Sequence, residues 1–541
     1  MLWIALHLPA LSLESFAATL GTVQHALPLA LLDQHHVRSV NRVALQLGIK
    51  PGLKRATALA LAPHLVFGLA DAARDAQALR AVAHVALSFT PSVSFDGDGL
   101  AAARGAGAAP CVLLEVQASL RYFGGLARLQ QQLRDALHPL RFSHRMASAP
   151  TALGAALLAR WRDDLNLGPH SSHLGKLQAL LDDVPVWLLG PGREHWDALQ
   201  GMGLHTLGDL RHLPRGGLAR RFGEALLTDL DRARGDSPDP RDRVELPASF
   251  ESRLELYERA DSTEQVLHGA AVLLARLVAW AQAQQARIGA FTLAMRHEPR
   301  HRADDKLPAH TELDIALAEA SNDAAHLQLL LRERLAHVPL PAPTLELRLR
   351  CHQLVRSAPP NGELFPTQAS AREGLTRLIE RLQARLGPEQ VQRPVLVEDH
   401  RPERGTAWQP ALPWRRPSAA SAAAGAATSA GSTSAGPASA GPATGRTPAA
   451  ASPPPLTRPV WLLPQPQPLH ERQSRPLLDG RPLQLLAGPE RIEAGWWDAA
   501  PAVRDYFIAQ AHDGALVWVY RGRLSLALPA AEGWFLHGRF G

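Results

Sequence analysis

Lysine is almost missing from this chain. Lys50, Lys54, Lys176 and Lys306 are the only lysines among 57 basic residues, so nearly all the positive charge is arginine. Cysteine is scarcer still: Cys111 and Cys351 alone exclude a disulfide framework and a cysteine-built zinc site. Aromatic residues make up only 5% of 541 residues, yet Trp461, Trp496, Trp497, Trp518 and Trp534 crowd the C-terminal end. Long apolar runs are missing as well. None approaches the length of a membrane span, and Met1-Leu2-Trp3 opens without a basic region or a small-residue cleavage site. We therefore expect a cytoplasmic protein with no signal peptide and no membrane partner.

What is present is a globular composition, 46% hydrophobic, over a length that suits several domains. A net charge of +6 and a pI near 9.8 favour an acidic partner, nucleic acid first among them. Arginine suits bidentate phosphate contacts, although a GC-rich genome produces the same excess.

One boundary is sharp. Residues 417–455 collapse into Ala, Gly, Ser, Thr and Pro and read as a flexible tether, because such a stretch cannot bury enough apolar surface to offset its ordering entropy. Before it, an apolar strand Leu2–Leu8 leads through Pro9 to a helix opening at Ser12-Leu13-Glu14. Asn41–Pro63 reads as helix, a Pro51-Gly52 turn, and a second helix. Cys111–Val116 reads as a strand, Leu126–Leu137 as an amphipathic helix, and Leu153–Arg160 as an Ala-rich helix. Leu199–Leu210 resembles a helix-hairpin-helix, whose Gly201-x-Gly203 turn would bring backbone amides to a phosphate, with Arg211, Arg215, Arg220 and Arg221 following. From Ser252 to Cys351 the periodicity spells β-α-β-β-α-β, with a Ser262-x-x-Gln265 capping box and a last strand whose second face carries Glu346, Arg348 and Arg350. Such a face is either a solvated surface or the wall of a DNA groove. Near the end, Tyr506–Ile508 and Leu516–Tyr520 flank a His512-Asp513-Gly514 turn and read as a β-hairpin.

These pieces together resemble the Y-family (translesion) DNA polymerases. More narrowly, the chain is similar to the ImuB family, inactive polymerase-like subunits of a bacterial damage-induced mutagenesis complex. The residues that carry this are the Leu2–Glu14 opening, Asn41–Pro63, Phe123-Gly-Gly, Leu204–Leu210, Gly488–Asp498 and Gly533–Gly538. The resemblance implies α/β and α+β domains: palm and fingers over 1–165, a helix-hairpin-helix thumb over 166–244, and a βαββαβ little finger over 245–355. A clamp-binding segment with a helical extension would follow over 356–416, then the tether, then an aromatic partner-binding domain over 456–541.

Matched to active relatives, the essential metal-binding Asp falls on Ala5, its companion on His7 and the sugar-screening aromatic on Ala10. Leu45 stands for the Arg that grips the triphosphate, and Arg42 for its Tyr neighbour. Pro110 and Cys111 stand where an Asp-Glu pair belongs. A second register, through Ser94-Phe95-Asp96-Gly97, keeps one acid. Phosphoryl transfer needs carboxylates to hold two divalent cations, and neither register supplies the set. The resemblance thus implies a noncatalytic chain with no metal and no cofactor. The alternative is an active translesion polymerase using a rearranged site of Asp96, Asp98 and Glu115. A third reading is an assembly factor that does not touch DNA.

Partners also follow from the resemblance. Asn361-Gly-Glu363-Leu364-Phe365 is similar to sliding-clamp-binding peptides, with Asn361 where Gln is expected. Primer-template DNA would meet Gly201, Gly203, Arg215, Arg220, Arg221, Arg348 and Arg350. The tail, through Trp496, Trp497, Trp518 and Trp534, would recruit an ImuA-like protein and an error-prone C-family DNA polymerase, since Trp dominates binding hot spots.

Overall fold

A computed structural model describes residues 1–21, 27–96, 109–299, 308–356, 368–412, 458–498, 501–523 and 533–540. The chain divides into two compact units, one holding Met1–Arg385 and the other Leu386–Leu412 with the described residues from 458 onward.

The first unit opens with strand β1 (Trp3–His7), buried on both faces. Side chains alternate along a strand. Ile4 and Leu6 therefore enter one core while Ala5 enters another. After α1 (Leu11–Ala17) come β2 (Leu29–Asp33), β3 (His36–Val40), α2 (Arg42–Gln46), α3 (Arg55–Leu61) and β4 (Val66–Leu69). These strands form a separate sheet ordered β3-β2-β4 with its own small core. Asn41 caps α2 by accepting the Ala44 amide, and Gly48 and Gly52 take φ of 85° and 89° in the turns that follow.

The chain then returns to β1. Helix α4 (Ala72–Leu87), capped by Asp71, precedes β5 (Val93–Phe95) and β6 (Cys111–Glu115). Next come α5 (Leu120–Phe123), α6 (Leu126–Leu137), β7 (Arg145–Ala149), α7 (Ala152–Trp161) and β8 (Leu165–Asn166). The sheet order is β5-β6-β1-β7-β8, so β1 lies at the centre between antiparallel β6 and β7. Helices α4 and α6 cover one face, through Leu79, Val82, Leu129 and Leu133. Helix α7 covers the other with Ala155, Ala156 and Ala159, small residues that let helix and sheet approach closely.

Six helices follow: α8 (His170–Asp182), α9 (Gly190–Glu194), α10 (Trp196–Gly201), α11 (Leu207–Arg211), α12 (Arg215–Phe222) and α13 (Glu224–Arg234). The β-α-β-β-α-β region is realised as β9 (Glu251–Ala260), α14 (Thr263–Ala283), β10 (Ala286–His297), β11 (His310–Ser321), α15 (Ala324–Leu335) and β12 (Thr344–Arg356). Its sheet order is β11-β10-β12-β9, and the Ser262–Gln265 capping box closes as expected. Both helices pack on one sheet face against Phe291, Leu293, Leu347 and Leu349. Helix α14 corrects one expectation. Its 21 residues, with an 18-residue stretch of mean hydropathy 1.5, are long and apolar enough to cross a membrane by length and composition. Most of that surface is buried against the sheet and α15, which is why the helix is so apolar. Helix α16 (Gln368–Leu386) follows, and Glu380 on it bonds His326 Nε2 at 2.9 Å.

The second unit contains the hairpin β13 (Gln392–Leu396) and β14 (Thr406–Pro410). Its main element is a seven-stranded sheet of β15 (Trp461–Arg472), β16 (Arg475–Leu478), β17 (Arg481–Pro482), β18 (Gln484–Ala494), β19 (Ala502–Gln510), β20 (Leu516–Gly522) and β21 (Gly533–Arg539). The order is β17-β16-β15-β21-β20-β19-β18. Strands β19 and β20 are the hairpin read from the sequence, with Tyr506 opposite Tyr520 and Ile508 opposite Trp518.

Candidate functional site

The positions matched to missing carboxylates converge on one end of the central sheet. His7 on β1 pairs with Cys111 on β6 and with Arg145 on β7, while Ala5 pairs with Leu113 and Ala147. Pro110 adjoins them, its carbonyl accepting the Leu8 amide at 3.1 Å. Leu45 does not join this group. It lies on α2 of the separate three-stranded sheet and is 50% exposed.

This end of the sheet is core. Ala5 is fully buried and Cys111 nearly so, both in the cluster that α7 completes. Burial pushes the Cys111 thiol up to about 12, so it stays protonated at neutral pH. Burial, helped by the charges of Arg160 and Arg145, lowers His7 to about 4, so its imidazole is neutral.

A carboxylate does stand at this end of the sheet, Asp96 at the end of β5, and it is taken. Arg160 from α7 donates to Asp96 Oδ2 at 2.5 Å, and Arg241, beyond α13, donates to Oδ1 at 2.9 Å. All three side chains are about nine-tenths buried. Burial alone would raise the Asp96 pKa; the two guanidinium groups outweigh it and hold the carboxyl below its ordinary range. Arg241 also binds Asp239 at 2.7 Å. A divalent cation approaching Asp96 would meet two positive charges already in place.

The other acids of the alternative site lie apart. Glu115 is at the opposite end of β6, where its carboxylate accepts the amides of Leu2 and Gln117. Asp98 lies outside the described residues. Among the described residues, no group of three or more His, Cys, Asp or Glu side chains is placed to hold a metal ion.

The candidate DNA contacts fall in two places. In the hairpin between α10 and α11, Gly203 takes φ of 77°, as a tight turn requires. The turn amides are engaged internally: Met202 and Gly203 donate to Leu199 and Gln200 carbonyls, and His205 and Thr206 donate to Asp209. Gly201 is the last residue of α10. The phosphate approach expected of this turn is therefore already satisfied by the chain's own oxygens. Arg215 is bidentate on Asp231, at 3.0 and 2.5 Å, whereas Arg220 and Arg221 stand exposed on α12.

The uncovered face of the four-stranded sheet is a lattice of mixed charge. Arg348 meets Glu251 at 3.2 Å and Arg350 meets Glu312 at 2.6 Å, while Arg296 and Arg253 both reach Glu346. Glu255 and Asp314 add further acids to the same face.

In the second unit, two of the four candidate partner residues are structural. Trp518 stacks on Tyr506 at 4.0 Å and is 2% exposed; Trp534 is 4% exposed against Phe507. Neither is available to a partner, because each fills one of two separate buried clusters, Trp518 with Tyr506 and Tyr520, Trp534 with Val519 and Leu536. Trp496 and Trp497 are 82% and 54% exposed and lie edge to face. Arg401 sits over Trp497, 5.6 Å from the ring centre, and binds Asp399 and Asp498. The clamp-like residues Asn361, Glu363, Leu364 and Phe365 lie outside the described residues, as does the tether.

Sequence reasoning missed Arg160 and Arg241. Arg160 carried a faint signal, as the one charge on an otherwise apolar helix. Arg241 carried none, being one of several charges in Pro238–Arg243.

No family model matches the chain. It is similar to Protein ImuB of Caulobacter vibrioides, in strain NA1000 / CB15N and equally in strain ATCC 19089 / CIP 103742 / CB 15: 28% identity over 517 residues, 92% of this chain and 100% of that protein. The expected resemblance to ImuB thus holds along nearly the whole length. Among solved structures, the chain is similar to an insertion ternary complex of Dbh DNA polymerase, at 15% identity and a TM-score of 0.36, covering 66% of this chain and 100% of that one. It is also similar to DinB from Sulfolobus solfataricus, at 15% identity and a TM-score of 0.33, covering 66% and 99%.

Proposed function

We propose that the chain is a noncatalytic, DNA-associated scaffold of damage-induced translesion synthesis and mutagenesis, working in the cytoplasm. The observation that carries this reading is the Asp96 clasp. The carboxylate nearest the polymerase-like site is neutralised by Arg160 and Arg241, over a floor of Ala5, His7 and Cys111 packed beneath α7. Such a site lacks the free acid set that holds two cations against a triphosphate.

As a scaffold the chain would hold primer-template DNA through its arginine-rich thumb. It would dock on the sliding clamp through Asn361–Phe365. Through Trp496 and Trp497 it would present an error-prone C-family polymerase and an ImuA-like protein. A flexible tether raises the local concentration of what it carries without a tight direct contact.

Primer extension by the purified protein with magnesium separates this reading from an active polymerase. We expect no incorporation; robust synthesis abolished by Asp96→Ala would overturn the proposal. Clamp capture should be lost when Leu364 and Phe365 are both changed to Ala, and unchanged capture would reject that segment as the docking site.

A further inference from the structure

A cavity of about 1050 Å³ lies in the first unit, bordered by α4, by the connector between α13 and β9, and by α14. Helix α4 turns Gln77, Arg80, Ala81 and His84 towards it, the i, i+3, i+4 and i+7 positions of a single helical face. Phe95, Leu153, Val244 and Phe250 give it apolar walls.

From α14 comes Arg276, only 3% exposed. Its Nη1 donates to Gln77 Oε1 and to Ser252 Oγ, each at 3.2 Å. Its Nη2 is buried with no acceptor among the described residues. Burial, with no acid to offset it, lowers the group's pKa to about 10, so it remains charged at neutral pH. A buried guanidinium lacking a counter-charge is costly.

The lining acids do not answer that need. Asp96 and Asp239 bind Arg241, Asp229 binds Arg232, and Glu251 binds Arg348. Asp242 and Glu245 are exposed to solvent, as is Arg80. Burial and the nearby Arg80 lower His84 to about 4, leaving a neutral ring with one N–H to donate. Anionic ligands are what such a group of donors takes, and the space exceeds what a lone inorganic ion would fill.

We infer that this cavity binds a small organic phosphate, its phosphate held by Arg276 with Arg80 and its organic part lying against Phe95 and Phe250. The inference does not rest on the scaffold reading. Isothermal titration of the full chain with adenosine diphosphate and with inorganic pyrophosphate tests it. Saturable binding is expected for both, tighter for the nucleotide. Arg276→Met should weaken it about tenfold or more. Without ligand this variant should melt no lower than the parent, since it removes an uncompensated buried charge. Arg80→Ala, at an exposed position, should also weaken binding, and it carries the test should Arg276→Met not fold. Undiminished affinity in a folded Arg276→Met protein, or no saturable binding of either probe, would overturn the assignment. Displacement of the nucleotide by primer-template DNA would do so too, by making the cavity part of a DNA track.

Discussion

Ala5 and Asp96 set opposite conditions for charge at the central sheet: one is sealed in apolar core, the other held between two guanidinium groups. Ala5 is fully buried, with Leu113 and Ala147 opposite it across the sheet. Placing an acid there with Ala5→Asp should therefore cost roughly 2–5 kcal/mol of stability, measured by urea denaturation, and should not produce synthesis. A variant as stable as the parent would show that the site is open after all. Asp96→Asn removes the charge that satisfies Arg160 and shares Arg241, at an expected cost of about 3–5 kcal/mol. The sign of its pH dependence follows from a depressed folded pKa. The contribution is complete above the unfolded value near 3.9, and it disappears as pH falls through the folded value. The gap between parent and Asp96→Asn should be constant from neutral pH to about 5 and close in stronger acid; a gap that closed near neutrality would contradict the clasp. That Ala5, His7 and Cys111 share one end of the central sheet was legible in the sequence, because strand periodicity fixes their place. The clasp was not, since its partners lie 64 and 145 residues from Asp96.

Among the elements, those with local causes were the ones the sequence disclosed. Strand and helix periodicities, the Ser262–Gln265 box and the Asp513-Gly514 turn act within a few residues, and each formed where expected. The hairpin at Gly201–Gly203 shows the limit of that reasoning. A glycine spacing reports that a turn forms, not which oxygens claim its amides, and Asp209 claims two. Tryptophan in the second unit shows the same limit, because composition cannot separate core from surface in a thin sheet. Trp518→Ala should open a cavity beside Tyr506 and cost about 3–5 kcal/mol, lowering the melting point of the second unit. Trp496→Ala with Trp497→Ala should leave that melting point nearly unchanged while abolishing capture of a C-family polymerase. Retained capture by a folded double variant would remove this pair from the interface.

For the molecule as a whole, the net charge of +6 is unevenly spent. The four-stranded sheet neutralises its own arginines, whereas α12 exposes Arg220 and Arg221. Primer-template affinity should thus fall more with Arg220→Ala and Arg221→Ala than with Arg348→Ala and Arg350→Ala. It should also decline steeply with salt, the slope easing by about one for each phosphate contact removed. Equal losses from both pairs, in filter-binding titrations across salt, would return the sheet face to the DNA track. The same balance of charges has a mechanical side. Arg241 belongs to the connector that leads from α13 to β9, and three residues on Val244 donates its amide to Val93 on β5. The clasp and that bond together moor the connector to the edge of the central sheet. Asp96 thus acts as a rivet between the edge strand and the connector, and Asp96→Asn should loosen that joint, read as faster hydrogen exchange at the Val244 amide.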